Sequence, residues 1–154
     1  MLKYVGIVLI VSGIIGCSFV LTRREKKSLT DSMELLSFLE RLLCRANESP
    51  ERAPGIYDEC ASDALRQIGF PLAFAADPRK AVSMLTLPTE EKNGILAYIG
   101  RRKIGDANYP ELLNQAIMNL KEAVEKRQKE LPNRLKTVWT VGLSVAALCM
   151  LLLW

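Results

Sequence analysis

Histidine is absent from this chain of 154 residues. Its absence removes the commonest general base, the commonest metal ligand and every Ser-His or Cys-His nucleophile arrangement. Cysteine is sparse: Cys17, Cys44, Cys60 and Cys149 stand far apart, so no metal-type Cys-x-x-Cys pair exists. Cys17 and Cys149 fall inside apolar runs, where a thiol behaves as a small hydrophobe. There is no glycine loop leading into Lys-Ser/Thr and no nucleophile elbow. Paired acids do occur, at Asp58-Glu59 with Asp63 and at Glu90-Glu91, but acids spaced this way on amphipathic helices form a solvated face more often than an acid–base pair. The expectation is a protein that is not an enzyme, takes no cofactor or metal and has no small-molecule substrate. Strictly alternating stretches are also scarce, and the β-branched residues concentrate in the apolar runs, which leaves an all-α fold.

What the chain does have is two long uncharged runs. Thr137 to Trp154 spans 18 residues without a charge, or roughly 27 Å of helix, enough to cross a hydrocarbon core. Tyr4 to Thr22 is uncharged over 19 residues. Arg23, Arg24, Lys26 and Lys27 come directly after the first run, while Arg134 and Lys136 precede the second behind Lys121, Lys126, Arg127 and Lys129. By the positive-inside rule both flanks orient the intervening segment toward the cytoplasm. The expected organisation is an N-terminal transmembrane helix with a basic flank (1–27), a cytoplasmic helical bundle (28–131) and a C-terminal transmembrane helix (132–154). Within the first run, Gly6 with Gly13 and Ser12 with Gly16 offer small residues for close helix contact.

Charge obeys the same division. Residues 28–120 carry ten Lys or Arg against thirteen Asp or Glu, a balance of −3, whereas residues 1–27 sum to +4 and residues 121–154 to +3. A nucleic-acid protein concentrates basic residues on its folded domain, so nucleic acid is not an expected partner. Basic residues beside apolar runs act instead as orientation signals and contacts to lipid heads. A rival reading takes Ile14-Ile15-Gly16-Cys17 as a lipoprotein cleavage box, with Cys17 lipidated and the domain outside. The basic residues directly after it oppose translocation of the domain.

Between the runs the helical period predicts a helix over Thr30 to Ala46, capped by Thr30 or continuing from the first run, with Leu29, Met33, Leu36, Leu39 or Glu40, and Leu43 along one face. A second helix is expected over Ile56 to Ile68, stopped by Gly69. Phe70 to Pro78 reads as a turn or short helix, and Arg79 to Leu85 as another. Thr89 can cap a helix whose first turn holds Glu90 and Glu91 and whose stop is Gly100. Asn108 and Pro110 start a long helix with the stripe Leu113, Ile117, Leu120, Val124 and Leu131, in which Pro132 would act as a hinge before the second apolar run. Glu90, Glu91 and the basic Arg101-Arg102-Lys103 make the candidate partner surface.

Several of these residues are similar to the stage III sporulation protein AB family of endospore-forming Firmicutes. They are Met1-Leu2-Lys3, Leu96-Ala97-Tyr98-Ile99-Gly100 with Ile104-Gly105-Asp106, Ala116 to Leu120, and Lys129-Glu130-Leu131-Pro132 running into Thr140-Val141-Gly142-Leu143. The resemblance covers the whole length in architecture. It implies an inner-membrane platform component of a secretion-like channel between mother cell and forespore. Its soluble domain would be similar to the helical modules of type II secretion and type IV pilus platform proteins. That domain would meet a secretion-type ATPase, stage III sporulation protein AA, together with other membrane proteins of the channel. From another class, a membrane-tethered helical adaptor or regulator unrelated to sporulation fits the same residues.

Overall fold

A computed structural model describes residues 2–48, 55–100 and 108–153. Every element among them is an α-helix: α1 Leu2–Glu48, α2 Ile56–Cys60, α3 Asp63–Gln67, α4 Phe70–Ala76, α5 Pro78–Met84, α6 Thr89–Ile99 and α7 Tyr109–Leu153. The chain separates into two compact units, one made of Met1–Lys27 with Arg127–Trp154 and the other of Ser28–Lys126.

α1 runs for 47 residues because nothing inside it breaks a helix: it contains no proline. Its hydroxyl side chains turn back on their own helix. Ser12 donates to the Val8 carbonyl at 2.7 Å and Thr22 to that of Ser18 at 2.8 Å. Thr30 lies inside α1 rather than at its start, so of the two readings of this segment the continuous helix is the observed one.

In the Ser28–Lys126 unit α1 supplies Leu35, Phe38, Leu39 and Leu42 to the core, each at most 1% exposed. This corrects the expected face in part, since Leu29 and Leu39 are buried as expected. Met33 is 37% exposed, and Leu36 and Leu43 are only half-buried. The cause is aromatic: Phe38 meets Phe70 and Phe74 of α4 edge-on, both at 5.2 Å between centroids, a geometry that aligns ring edge with ring face. Val82 of α5, Ile95 and Ile99 of α6, and Tyr109, Leu113, Ala116, Ile117, Leu120 and Val124 of α7 complete the core. The predicted stripe of α7 is thus buried as far as Val124, with Leu131 half-buried.

The single helix expected over residues 56–68 is two. Ala61 and Ser62 adopt extended ψ values of 144° and 164°, and the Ser62 hydroxyl accepts the Leu65 amide at 3.4 Å, starting α3 afresh. Gly69 stops α3 as expected, in the left-handed region at φ 72°. α6 begins at Thr89 with Pro88 at the cap position and no side-chain cap, so Thr89 is a helical residue, and Glu90 and Glu91 occupy the first turn. Gly100 ends α6 at an ordinary φ of −64°. What excludes a side chain there is space: a Cβ would lie 2.5 Å from the Leu96 carbonyl oxygen. α7 opens as expected, with the Asn108 carbonyl accepting the Leu112 amide at 3.1 Å and Pro110 in the first turn. Pro132 lies within α7 and does not end it.

Candidate membrane anchor and docking surface

α7 is long and apolar enough to cross a membrane. Its most apolar 18-residue window has a mean hydropathy of 1.3, and 6% of that window is buried within the protein. Val141, Leu143, Leu148 and Leu151 are 55–76% exposed. The apolar part of α1 in the same unit exposes Val8, Leu9, Ile10, Phe19, Val20 and Leu21 at 43–68%. Large exposed apolar surfaces of this kind call for a partner or a lipid environment.

The two apolar segments of this unit touch where both are small. A Cβ built on Gly142 would lie 2.7 Å from the Ser18 hydroxyl oxygen and 3.7 Å from Ile14 Cγ2. Ser18 is 6% and Ala146 3% exposed, and the Ser18 hydroxyl is held by donating to the Ile14 carbonyl at 3.0 Å. Close approach over small residues is how apolar helices gain dispersion contact without a hydrophobic driving force. The small pairs anticipated in the first run do not make this contact. Ser12 is exposed, and Gly6, Gly13 and Gly16 have nothing within 4 Å of an added Cβ. Ser18 gives no signal in the sequence because serine and glycine carry little weight in an apolar pattern; their pairing across two distant segments is visible only in three dimensions.

Arg23, Arg24, Lys26 and Lys27 are exposed, and the Arg23 guanidinium sits over the Phe19 ring at 4.6 Å, which lets the cation stay hydrated while its stem covers apolar surface. Arg134 and Lys136 are also exposed, and Arg134 donates to Glu130 at 2.9 Å. Arg127 approaches Glu25 at 3.9 Å. The exposed Arg134–Glu130 pair contributes at most about 1 kcal/mol. Pro132 is exposed on the same polar stretch.

In the helical unit the proposed partner surface divides. Glu90 is exposed, but Glu91 is only 7% exposed and accepts a 2.6 Å hydrogen bond from Ser32. Glu91 therefore belongs to the interior. One position further along α6 turns the side chain about 100°, from solvent toward α1. Asp31 beside Ser32 accepts the Thr86 amide at 2.8 Å, so α1 holds the α5–α6 connection and the start of α6 through adjacent polar residues. Arg101, Arg102 and Lys103 lie outside the described residues.

Apolar exposure adds candidates the sequence did not single out. Leu72 on α4 is 80% exposed although Phe70, Pro71 and Phe74 of the same helix are buried, and Ile68 just before it is 44% exposed. The available signal was a leucine out of phase with its buried neighbours. Burial raises the Cys60 thiol above its usual range, Arg45 opposing, and raises the Tyr109 phenol well above its own, Tyr57 adding to the effect. Among the described residues no three His, Cys, Asp or Glu side chains are grouped to hold a metal ion. Comparison with known proteins finds no matching family model, curated protein or solved structure.

Proposed function

We propose that the chain is a non-enzymatic membrane platform component of the kind the stage III sporulation protein AB resemblance implies. In this reading α1 and α7 each carry one transmembrane segment, and the Ser28–Lys126 unit faces the cytoplasm and docks a secretion-type ATPase. By the same resemblance the membrane is the outer forespore membrane, with the unit on its mother-cell side and other channel proteins as neighbours.

The observation that carries the reading is helical continuity. Leu35 to Leu42 of α1 and Leu113 to Val124 of α7 build the core of the helical unit, and the same two helices continue as the apolar pair joined at Ser18 and Gly142. A platform that passes force or position from a soluble motor to a membrane needs that form. Exposed Leu72 and Ile68 give the helical unit apolar contacts for a partner, and exposed Glu90 an acidic one.

The test is association of the full chain, in detergent or nanodiscs, with the purified stage III sporulation protein AA ATPase. Binding is expected, and Leu72→Asp should weaken it about tenfold or more, the factor that losing one buried leucine supplies. No measurable association would leave the unrelated tethered adaptor as the better account. ATP hydrolysis or ester hydrolysis by the chain alone, abolished by Asp58→Asn, would overturn its non-enzymatic assignment.

A further inference from the structure

A cavity of about 530 Å³ lies in the Met1–Lys27, Arg127–Trp154 unit. On α1 its lining crosses from Leu21 to Glu25; on α7 it crosses from Val138 back to Glu130 and Arg134. Both helices thus change from uncharged to charged sequence within the same cavity. If the apolar segments span a bilayer, as proposed above, the cavity sits where hydrocarbon gives way to headgroups. Its size suits a small-molecule or lipid-head site.

The charges narrow the occupant. Two carboxylates, Glu25 and Glu130, line the cavity against the single guanidinium of Arg134. Glu130 already accepts from Arg134 at 2.9 Å, and Arg127 stands 3.9 Å from Glu25. A carboxylate offers about four acceptor positions, so both can take further donors. With Arg127 beside Glu25 the charges balance two against two, so a headgroup of zero net charge matches the site better than an anionic one. A zwitterion carrying a phosphate and a primary ammonium matches the lining, with phosphate toward Arg134 and ammonium toward the carboxylates. A quaternary ammonium matches the charge but has no N–H to donate.

We propose that this cavity is a headgroup site for phosphatidylethanolamine drawn from the surrounding bilayer, with Leu21, Leu135 and Val138 against the first acyl carbons. The proposal rests on the membrane-anchor reading. The test places the full chain in nanodiscs containing equal amounts of phosphatidylethanolamine, phosphatidylcholine and phosphatidylglycerol with identical acyl chains, and the released protein is weighed by native mass spectrometry. Phosphatidylethanolamine should be retained about tenfold over either competitor, the factor one charge-assisted hydrogen bond supplies. Glu25→Gln with Glu130→Gln should abolish the preference while leaving helicity intact. Val138→Trp, which narrows the cavity beside the acyl carbons and keeps both carboxylates, should weaken the retention of the lipid as well. Equal retention of the three lipids, preference for phosphatidylglycerol, or unchanged preference in both variants would overturn the headgroup site and leave the anchor standing. A chain that never enters the discs would overturn both.

Discussion

Gly142→Ala tests the helix contact in the Met1–Lys27, Arg127–Trp154 unit. The added Cβ would stand 2.7 Å from the Ser18 hydroxyl oxygen, well inside the 3.4 Å at which ordinary contact begins. Relief requires either that the helices separate or that the hydroxyl rotates away from the Ile14 carbonyl to which it donates at 3.0 Å. Overpacking of this kind costs about 1–3 kcal/mol, and alanine returns about 0.5–1 kcal/mol of helix propensity relative to glycine. The expected net effect is a loss of up to about 2.5 kcal/mol. Both tryptophans, Trp139 and Trp154, lie in the terminal apolar run, so tryptophan emission during an SDS titration of the full chain in mixed micelles reports this unit. The decisive arm is a double-mutant cycle with Ser18→Ala. Without the hydroxyl, the nearest side-chain atoms to the new methyl are Ile14 Cγ2 at 3.7 Å and the residue-18 Cβ at 3.8 Å, both ordinary distances. Gly142→Ala should then become neutral or mildly stabilising, a coupling of about 1–3 kcal/mol. Gly13→Ala, with nothing within 4 Å, should not destabilise in either background. Equal cost of Gly142→Ala with and without Ser18 would refute the contact.

In the helical unit, Ser32→Ala removes the 2.6 Å donor to buried Glu91 and should cost about 1–3 kcal/mol, read as faster hydrogen exchange of the α6 amides; exposed Glu90→Ala should cost less than about 1 kcal/mol, and the reverse order would contradict the burial of Glu91. Tyr109, its phenol raised first by burial and then by Tyr57, keeps its proton in the folded chain where an unfolded tyrosine loses it near pH 10. Stability from this group is therefore full below about pH 10 and falls as pH rises above it. In an alkaline absorbance titration Tyr109 should ionise only as helical dichroism is lost, and Tyr109→Phe should abolish that late phase. Burial also raises the Cys60 thiol, lowering its thiolate fraction at pH 8, so iodoacetamide should label exposed Cys44 well before Cys60 in the folded chain; equal labelling rates by peptide mass spectrometry would contradict the buried position.

Local chemistry determined a good part of this protein. The absence of β patterning leads to the all-α fold; the Gly69 stop, the acids opening α6 and the Asn108-Pro110 start of α7 each arise from backbone groups satisfied within a few residues. The buried stripe from Leu113 to Val124 was legible because the long helix holds one period over many turns. Tertiary packing decided the rest. α1 carries two adjacent apolar stripes, and Leu35, Phe38 and Leu42 turn inward because Phe70 and Phe74, more than thirty residues away in sequence, receive the Phe38 ring. Glu90 and Glu91 are chemically alike, yet only Glu91 lands where α1 presents Ser32. Small residues recur along the first apolar run, and only Ser18 meets a glycine of the other helix. Periodicity tells which residues share a face, whereas the face that is buried depends on the neighbour that arrives to cover it.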